Sequence, residues 1–153
     1  MIEPDNDAEP GDGDEFVFAP PGPTIVPYFG YRDAASAITF LTEVLGFEVL
    51  SRYEGPNGQV MHAELNIGDG IIMLGSLPPD APVDLSPGAM GTYVAVDDVE
   101  THHADAMVAG LEAAGGALVY GPEDTEFGTR RYRVRDPEGF EWSFGTYRPT
   151  FTV

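Results

Sequence analysis

GTRRYRVRDPEGFEWSFGTY, residues 128–147, decides the fold of this chain. Residues 131–135 and 140–144 alternate polar and apolar side chains, which is the pattern of half-buried β-strands. Between them lies Asp136-Pro137-Glu138-Gly139, in which proline fixes φ and glycine permits a positive φ. The stretch therefore predicts a β-hairpin with one face in the core.

A second stretch with the same layout occurs earlier in the chain. Residues 61–67 and 71–74 are two apolar-rich runs on either side of Gly68-Asp69-Gly70. Upstream of each predicted hairpin come an apolar strand, an aspartate, a helical pattern, a glycine and one more strand. These strands are predicted at 24–31, 48–53, 91–96 and 117–120, and the helices at 34–45 and 100–114. Each half of the chain therefore has the predicted order βαβββ.

A single folded domain is expected for a chain of 153 residues of which 42% are hydrophobic. We place this domain at residues 24–149. Module one covers 24–76 and module two covers 90–149. The linker at 77–89 is rich in proline and glycine, which excludes a helix or a central strand there. Residues 1–23 precede the domain as a predicted disordered tail.

The charge balance indicates which partners the protein avoids. The chain has 26 acidic residues, seven arginines and no lysine, with a formal net charge of −19. Seven of the acids lie in residues 1–15, which contain no basic residue, and this composition is typical of a solvated tail. The negative charge repels nucleic acid and anionic membranes and attracts cationic ligands. Alternatively, it serves solubility or adapts the protein to a salt-rich cytosol.

Several functional classes are excluded or disfavoured by what the sequence lacks. No apolar run is long enough to span a membrane, and the N-terminus has no signal-peptide pattern, so a cytoplasmic protein is expected. The absence of cysteine excludes disulfides, thiolate catalysis and cysteine metal sites. No serine has an evident His and Asp partner, although the members of a triad can be distant in sequence.

Strand alternation predicts which side chains face a ligand. In the strand at 61–67, Ala63 and Leu65 belong to the apolar face, and Trp142 belongs to the apolar face of the last strand. The opposite faces carry polar side chains and tyrosines. The residues predicted to line a ligand-binding cleft are Tyr28, His62, Glu64, Tyr93, Arg131, Glu141 and Ser143.

These features resemble the vicinal oxygen chelate superfamily, and within it the glyoxalase/bleomycin-resistance group. The motifs are Tyr28 followed by Arg32-Asp33 and residues 40–47 in the first half, and DPEG-x-x-WSFGTY in the second. The resemblance implies an α+β fold in which two βαβββ modules form a cleft-shaped mixed sheet with helices on the outer face. It also implies a homodimer that binds a small organic ligand, with residues 24–29 as a candidate contact strand.

Catalytic members of that superfamily use a divalent cation as a Lewis acid, held by His, Glu or Gln side chains. The resemblance places the ligand positions at Val26, Gly91 and Ser143, none of which supplies a strong metal ligand. We therefore expect a metal-independent small-molecule-binding protein without a cofactor, rather than an enzyme. The alternative is a metal-dependent lyase, isomerase or dioxygenase with a shifted site at His62, Glu64 and Glu141.

Two further groups of residues admit more than one interpretation. His102-His103 is a candidate metal pair, but adjacent helical residues point about 100° apart, so one of them is expected to face solvent. The run Arg130–Arg135 contains four arginines. They either bind an anionic group of a ligand through bidentate contacts or pair with nearby carboxylates.

Overall fold

The computed structural model describes residues 21–82, 88 and 90–151. Module one consists of β1 (Tyr28–Tyr31), α1 (Ala34–Glu43), β2 (Glu48–Glu54), β3 (Val60–Ile67) and β4 (Gly70–Ser76), with a short 3-10 helix at Pro56–Gly58. Module two consists of β5 (Gly91–Ala95), α2 (Val99–Val108), β6 (Ala117–Asp124), β7 (Arg130–Arg135) and β8 (Glu141–Gly145). Most of the predicted tail, residues 1–20, and linker residues 83–87 and 89 lie outside the described residues.

Each module forms a mixed four-stranded sheet. The strand order is β1-β4-β3-β2 in sheet one and β5-β8-β7-β6 in sheet two. The first strand of each module runs parallel to the last, and the other neighbours are antiparallel. A parallel pair needs a long crossover connection, which the helix and the intervening strands provide. The predicted α+β fold of two βαβββ modules is confirmed.

Helix α1 begins where the sequence predicts. The carboxylate of Asp33 accepts hydrogen bonds from the backbone N–H of Ser36 at 3.0 Å and from its hydroxyl at 2.7 Å, as an N-cap does. The helix ends at Glu43, and Gly46 adopts a φ of +85° shortly afterwards. Asp98 caps α2 in the same way, accepting from the N–H of Thr101.

Three predicted boundaries were wrong by more than two residues. Helix α2 ends at Val108 rather than at residue 114, because Gly110 adopts a φ of +83° and the chain continues in turns. Strand β1 begins only at Tyr28, since Pro27 has no N–H to donate to a neighbouring strand. Strand β6 extends to Asp124 in spite of Pro122, which is tolerated because β6 is an edge strand with two register shifts.

The apolar faces of both sheets share one core with the two helices. Phe29 of β1 and Trp142 of β8 have ring centroids 5.0 Å apart, and Phe47 meets the same indole edge-on at 5.4 Å. Trp142 is fully buried, as predicted. Phe40 of α1 reaches Gly116 of module two, where a Cβ atom would lie 2.8 Å from the phenyl ring. The modules are therefore packed against each other through their apolar sides.

The β7–β8 turn ties the two modules together. Buried Asp136 accepts hydrogen bonds from the hydroxyl of Tyr31 at 2.7 Å and from the indole N–H of Trp142 at 3.1 Å. The carboxylate of Glu138 accepts from the backbone N–H groups of Arg32 and Asp33, at 2.6 and 3.0 Å. The DPEG turn of module two thus binds the two residues that precede helix α1.

Neither helix in the described part of the chain is long and apolar enough to cross a membrane.

Candidate functional site

The strand registers make the two sheets comparable position by position. In sheet one Met73 pairs with Tyr28 on one side and with Glu64 on the other. In sheet two Ser143 pairs with Tyr93 and with Arg133 in the same arrangement. The equivalent pairs are Tyr28 and Tyr93, Met73 and Ser143, Glu64 and Arg133, and, two residues earlier, His62 and Arg131.

The seven predicted cleft residues are therefore divided between two faces. Tyr28, His62 and Glu64 lie on the polar face of sheet one. The remaining four, Tyr93, Arg131, Glu141 and Ser143, lie on the polar face of sheet two. Within the described residues, no hydrogen bond or ion pair joins one set to the other. The structure thus brings the predicted residues together in two clusters.

The equivalent tyrosines both lie across a glycine of the neighbouring strand. A Cβ atom on Gly75 would lie 2.8 Å from the hydroxyl oxygen of Tyr28, and one on Gly145 only 2.5 Å from that of Tyr93. Glycine at these positions therefore lets each ring lie close to its sheet. The hydroxyl of Tyr93 donates to the carbonyl of Tyr147 at 2.6 Å, which fixes the orientation of the ring. Both tyrosines remain exposed.

In sheet one a histidine and a carboxylate are paired. Nε2 of His62 lies 2.9 Å from Oε2 of Glu64, and both side chains are partly exposed. Because a carboxylate only accepts, the proton of this bond belongs to Nε2. The ring of Tyr53 lies 6.3 Å from that of His62 at an angle of 34°. Sequence reasoning missed Tyr53, although its position opposite His62 on the neighbouring strand follows once the register is known.

In sheet two a buried glutamate binds two arginines. Arg133 donates from Nη1 to Glu141 at 3.3 Å and from Nε to the hydroxyl of Ser143 at 2.7 Å. Arg135 donates to the second oxygen of Glu141 at 2.9 Å. Glu141 and Ser143 lie on the predicted face of β8, but they are only 7% and 8% exposed. They are therefore not accessible to a ligand, because their polar atoms already accept hydrogen bonds from the arginine side chains.

The other arginines of this strand also pair with carboxylates. Arg130 binds Glu100 and Asp124, and Arg131 binds Glu123 at 3.1 Å. The guanidinium carbons of Arg131 and Arg133 lie 5.4 and 5.3 Å from the ring centre of Tyr120, within cation–π distance. Of the two interpretations of the arginine run, pairing with nearby carboxylates therefore describes the structure.

A cavity of about 810 Å³ opens beside this face of sheet two. Its lining combines three aromatic side chains with three acidic ones, together with Arg131. We call it the aromatic–acidic cavity, and its distinguishing residues are Tyr93, Phe127, Tyr147, Glu123, Asp124 and Glu126. Phe127 is 85% exposed, so it presents a bare ring to any ligand. Only Tyr93 and Arg131 were predicted, because most of the other lining residues lie at the end of β6 or in loops, beyond the reach of strand alternation.

The residues present do not fit the divalent cation that the family resemblance implies. Val26 and Gly91 have no side-chain donor atom, and Met73, the equivalent of Ser143 in sheet one, offers a weak thioether. The hydroxyl of Ser143 already accepts from a guanidinium, whose charge would repel a cation. Glu141 binds two arginines and lies on the other sheet from His62 and Glu64. Within the described residues, no three His, Asp or Glu side chains are grouped as metal ligands.

His102 has a structural place in the fold. Its Nε2 lies 3.0 Å from the carbonyl of Leu45 and its Nδ1 lies 2.5 Å from the hydroxyl of Tyr132, while the ring stacks on Phe144. A carbonyl only accepts, so Nε2 carries the proton and Nδ1 accepts from Tyr132. Burial lowers the pKa of His102, which favours this neutral form. Both His102 and His103 are half-buried, so the expectation that one would face solvent was wrong.

Comparison with known proteins agrees with this architecture. A model of the family described as Glyoxalase/Bleomycin resistance protein/Dioxygenase superfamily matches residues 27–144. An uncharacterized protein of Mycobacterium tuberculosis is 32% identical over 130 residues, which cover 80% of this chain and 74% of that protein.

Solved structures give the same result. TioX from Micromonospora sp. ML1 shares 31% identity with a TM-score of 0.62, over 85% of this chain and 100% of that one. A glyoxalase/bleomycin resistance protein/dioxygenase family enzyme from Burkholderia phytofirmans PsJN has a TM-score of 0.59 at 18% identity, over 77% of this chain and 93% of that chain. The second likeness concerns the fold alone.

Proposed function

Because the chain belongs to the glyoxalase/bleomycin resistance protein/dioxygenase superfamily, we propose that it is a small-molecule-binding protein that holds its ligand without a metal ion. The ligand site is the aromatic–acidic cavity on the polar side of sheet two. The ligand class is an organic cation with a flat aromatic part. The observation that carries the proposal is the combination of bare aromatic rings and carboxylates in one open cavity.

The chemistry of the lining supports this ligand class. A cation above the face of an aromatic ring is attracted by the ring quadrupole, and nearby carboxylates add a Coulomb attraction. Phe127 and Tyr147 offer exposed rings, and Glu126 has no ion pair within the described residues. The net charge of −19 raises the local concentration of cations around the whole molecule. The cavity volume lies within the range of about 300–1,000 Å³ typical of small-molecule sites.

A metal-dependent reaction has weaker support. The donor set at the family's ligand positions is poor, and the guanidinium groups of Arg133 and Arg135 lie beside Ser143 and Glu141. The alternative of a shifted metal site therefore depends on His62 and Glu64, which contribute two ligands from sheet one. Two protein ligands leave most coordination positions of a divalent cation open.

A homodimer remains part of the proposal. The polar face of sheet one carries the exposed ring of Tyr28 and, beside His62, the exposed ring of Tyr53. A second copy could cover the solvent-facing side of the aromatic–acidic cavity with this face of its sheet one. Its tyrosine rings would then line that side of the cavity. In this arrangement each ligand contacts sheet two of one copy and sheet one of the other. Light scattering tests it, since a monomer at micromolar concentration contradicts it.

The ligand class is tested with a matched pair of fluorescent probes, 10-methylacridinium and acridine, which differ in charge at pH 8. Wild-type protein is expected to bind the cation with saturation and the neutral ring at least tenfold more weakly. Phe127→Ala is expected to weaken cation binding by about tenfold. Phe151→Ala is the matched control, because Phe151 is a fully exposed phenylalanine outside the cavity. Equal affinity for the two probes, or equal effects of the two substitutions, contradicts the proposal.

A further inference from the structure

A second cavity, of about 370 Å³, lies between the two modules. Ile25 and Pro27 line it from module one, together with the turn between β3 and β4, and Pro23 just before the module also contributes. Strand β5 lines it from module two, and Arg148 follows β8. Most of the lining is aliphatic or aromatic, including Ile25, Phe47, Ile67, Ile71, Ile72 and Val94. We call it the intermodule cavity.

Arg148 differs from the other six arginines of the chain. Arg32 donates to the carbonyl of Ala81, and the arginines at 52, 130, 131, 133 and 135 each bind a carboxylate. Arg148 alone has neither a side-chain hydrogen bond nor an ion pair within the described ranges 21–82, 88 and 90–151. In a chain with 26 acidic residues, an arginine that makes neither kind of contact is an unusual feature. As far as the described residues are concerned, its guanidinium can therefore bind a carboxylate of a ligand.

The same cavity also contains an acidic side chain. Asp69, in the β3–β4 turn, lines the cavity and has no hydrogen-bond or ion-pair partner in the part of the chain that the structure describes. Arg148 and Asp69 do not bind each other, since no nitrogen and oxygen of the pair come within 4.0 Å. One cavity thus offers a cation, an anion and an apolar interior at the same time.

We propose that the intermodule cavity binds a small zwitterion with an apolar body, namely an α-amino acid with an aliphatic or aromatic side chain. Arg148 binds the carboxylate, Asp69 binds the ammonium group, and the aliphatic lining takes up the side chain. A simple carboxylate fits less well, because it meets Asp69 and the negative charge of the whole protein. A simple amine fits less well, because it meets Arg148. This site is independent of the proposed function, and only Tyr93 borders both cavities.

Isothermal titration with three probes tests the proposal. They are L-phenylalanine, 3-phenylpropanoate, which lacks the ammonium group, and phenethylamine, which lacks the carboxylate. Wild-type protein is expected to bind L-phenylalanine with one-to-one stoichiometry and each analogue about tenfold or more weakly, since each loses one charge-assisted contact. Binding of 3-phenylpropanoate as tight as that of L-phenylalanine overturns the zwitterion assignment. Failure to bind L-phenylalanine and L-leucine with a Kd below about 1 mM overturns the site itself.

Two substitutions test which residue binds the carboxylate of the ligand and which binds its ammonium group. Arg148→Gln is expected to lower the affinity for L-phenylalanine at least tenfold and to leave phenethylamine binding undiminished. Asp69→Asn is expected to reduce the affinity for L-phenylalanine to about that for 3-phenylpropanoate. Both side chains are exposed and make no bond in the described structure, so both variants are expected to fold.

Arg52→Gln is the matched control for Arg148→Gln, because it removes the same charge from an arginine outside the cavity. An equal loss of affinity in Arg52→Gln and Arg148→Gln shows a general charge effect and overturns the assignment of Arg148. Arg148→Gln is expected to bind 10-methylacridinium without loss of affinity. The two sites can therefore fail separately.

Discussion

The hydroxyl of Tyr31 donates to the carboxylate of Asp136 across 2.7 Å, and this bond joins the first strand of module one to the hairpin turn of module two. Both side chains are buried. Burial raises the pKa of Asp136, while the hydrogen bonds from Tyr31 and Trp142 act in the opposite direction. Burying a carboxylate without hydrogen-bond partners costs free energy. The packing between the modules therefore requires the hydrogen-bond donors around Asp136.

Removing the donor tests this relationship. Tyr31→Phe is expected to lower the free energy of unfolding by about 1.5–3 kcal/mol, because Asp136 stays buried with one hydrogen bond fewer. Urea denaturation measures the change. Tyr53→Phe is the control, since Tyr53 is exposed and its hydroxyl has no hydrogen-bond partner within the described residues. A loss below about 0.5 kcal/mol in Tyr31→Phe contradicts the role given to this bond.

The acid stability of the protein is expected to depend on His102. Its folded pKa lies below the ordinary value because burial disfavours the charged ring. The contribution of neutral His102 is therefore fully present above the ordinary pKa of about 6.5 and is lost as the pH falls through the lowered folded pKa.

Unfolding free energies measured by urea denaturation between pH 8 and pH 5 check this dependence. We expect stability to fall with a limiting slope of about 1.4 kcal/mol per pH unit for one proton. The slope is expected to disappear in His102→Gln and to persist in His103→Gln. A slope that persists in His102→Gln assigns the acid sensitivity to other groups.

The glycine beneath Tyr93 is expected to be necessary for the aromatic–acidic cavity. Gly145→Ala places a Cβ atom 2.5 Å from the Tyr93 hydroxyl oxygen and so displaces the ring from its bond to Tyr147. We expect a loss of about 1–3 kcal/mol in the free energy of unfolding and weaker binding of 10-methylacridinium. Gly91→Ala on the adjacent strand is the matched control, because its Cβ would lie 3.6 Å from the nearest atom. Equal effects of the two substitutions argue against a specific contact with Tyr93.

The buried glutamate of β8 is expected to be structural. Glu141→Gln leaves Arg133 and Arg135 without their anionic partner, and we expect a loss of about 2–4 kcal/mol in the free energy of unfolding. Glu54→Gln is the comparison, because its pair with Arg52 is exposed and is worth less than about 1 kcal/mol. If Glu141→Gln unfolds like wild type, the glutamate is free for another role, and metal binding has to be reconsidered.

The fold was predictable because the sequence patterns that indicate it are local and occur in both modules. Alternation in residues 131–135 and 140–144, the DPEG turn and the helix caps at Asp33 and Asp98 are short-range signals. The buried positions of Tyr132, Val134 and Trp142 follow from the same alternation. The end of α2 was missed because a glycine inside a helical pattern is often tolerated, and only the positive φ of Gly110 identifies the break.

The candidate site was only partly predictable. Alternation assigns His62, Glu64, Tyr93 and Arg131 to polar faces, but it does not show which face of which sheet they share. Glu141 was expected to be accessible, because its two arginine partners depend on tertiary register. Phe127 and Tyr147 lie outside the strands, where periodicity carries no information. The position of Arg133 could be predicted from the sequence, because it lies two residues after Arg131 on the same strand and therefore on the same face.

The aromatic–acidic cavity is expected to bind an organic cation without a metal ion. The most direct test is a fluorescence titration of 10-methylacridinium into protein dialysed against a chelator, repeated after addition of Zn²⁺, Mn²⁺, Fe²⁺, Ni²⁺ or Mg²⁺. We predict saturable binding by the metal-free protein, with the same affinity after each addition. Binding that appears only with a metal ion and is abolished by His62→Ala would contradict the claim and favour the metal-dependent alternative.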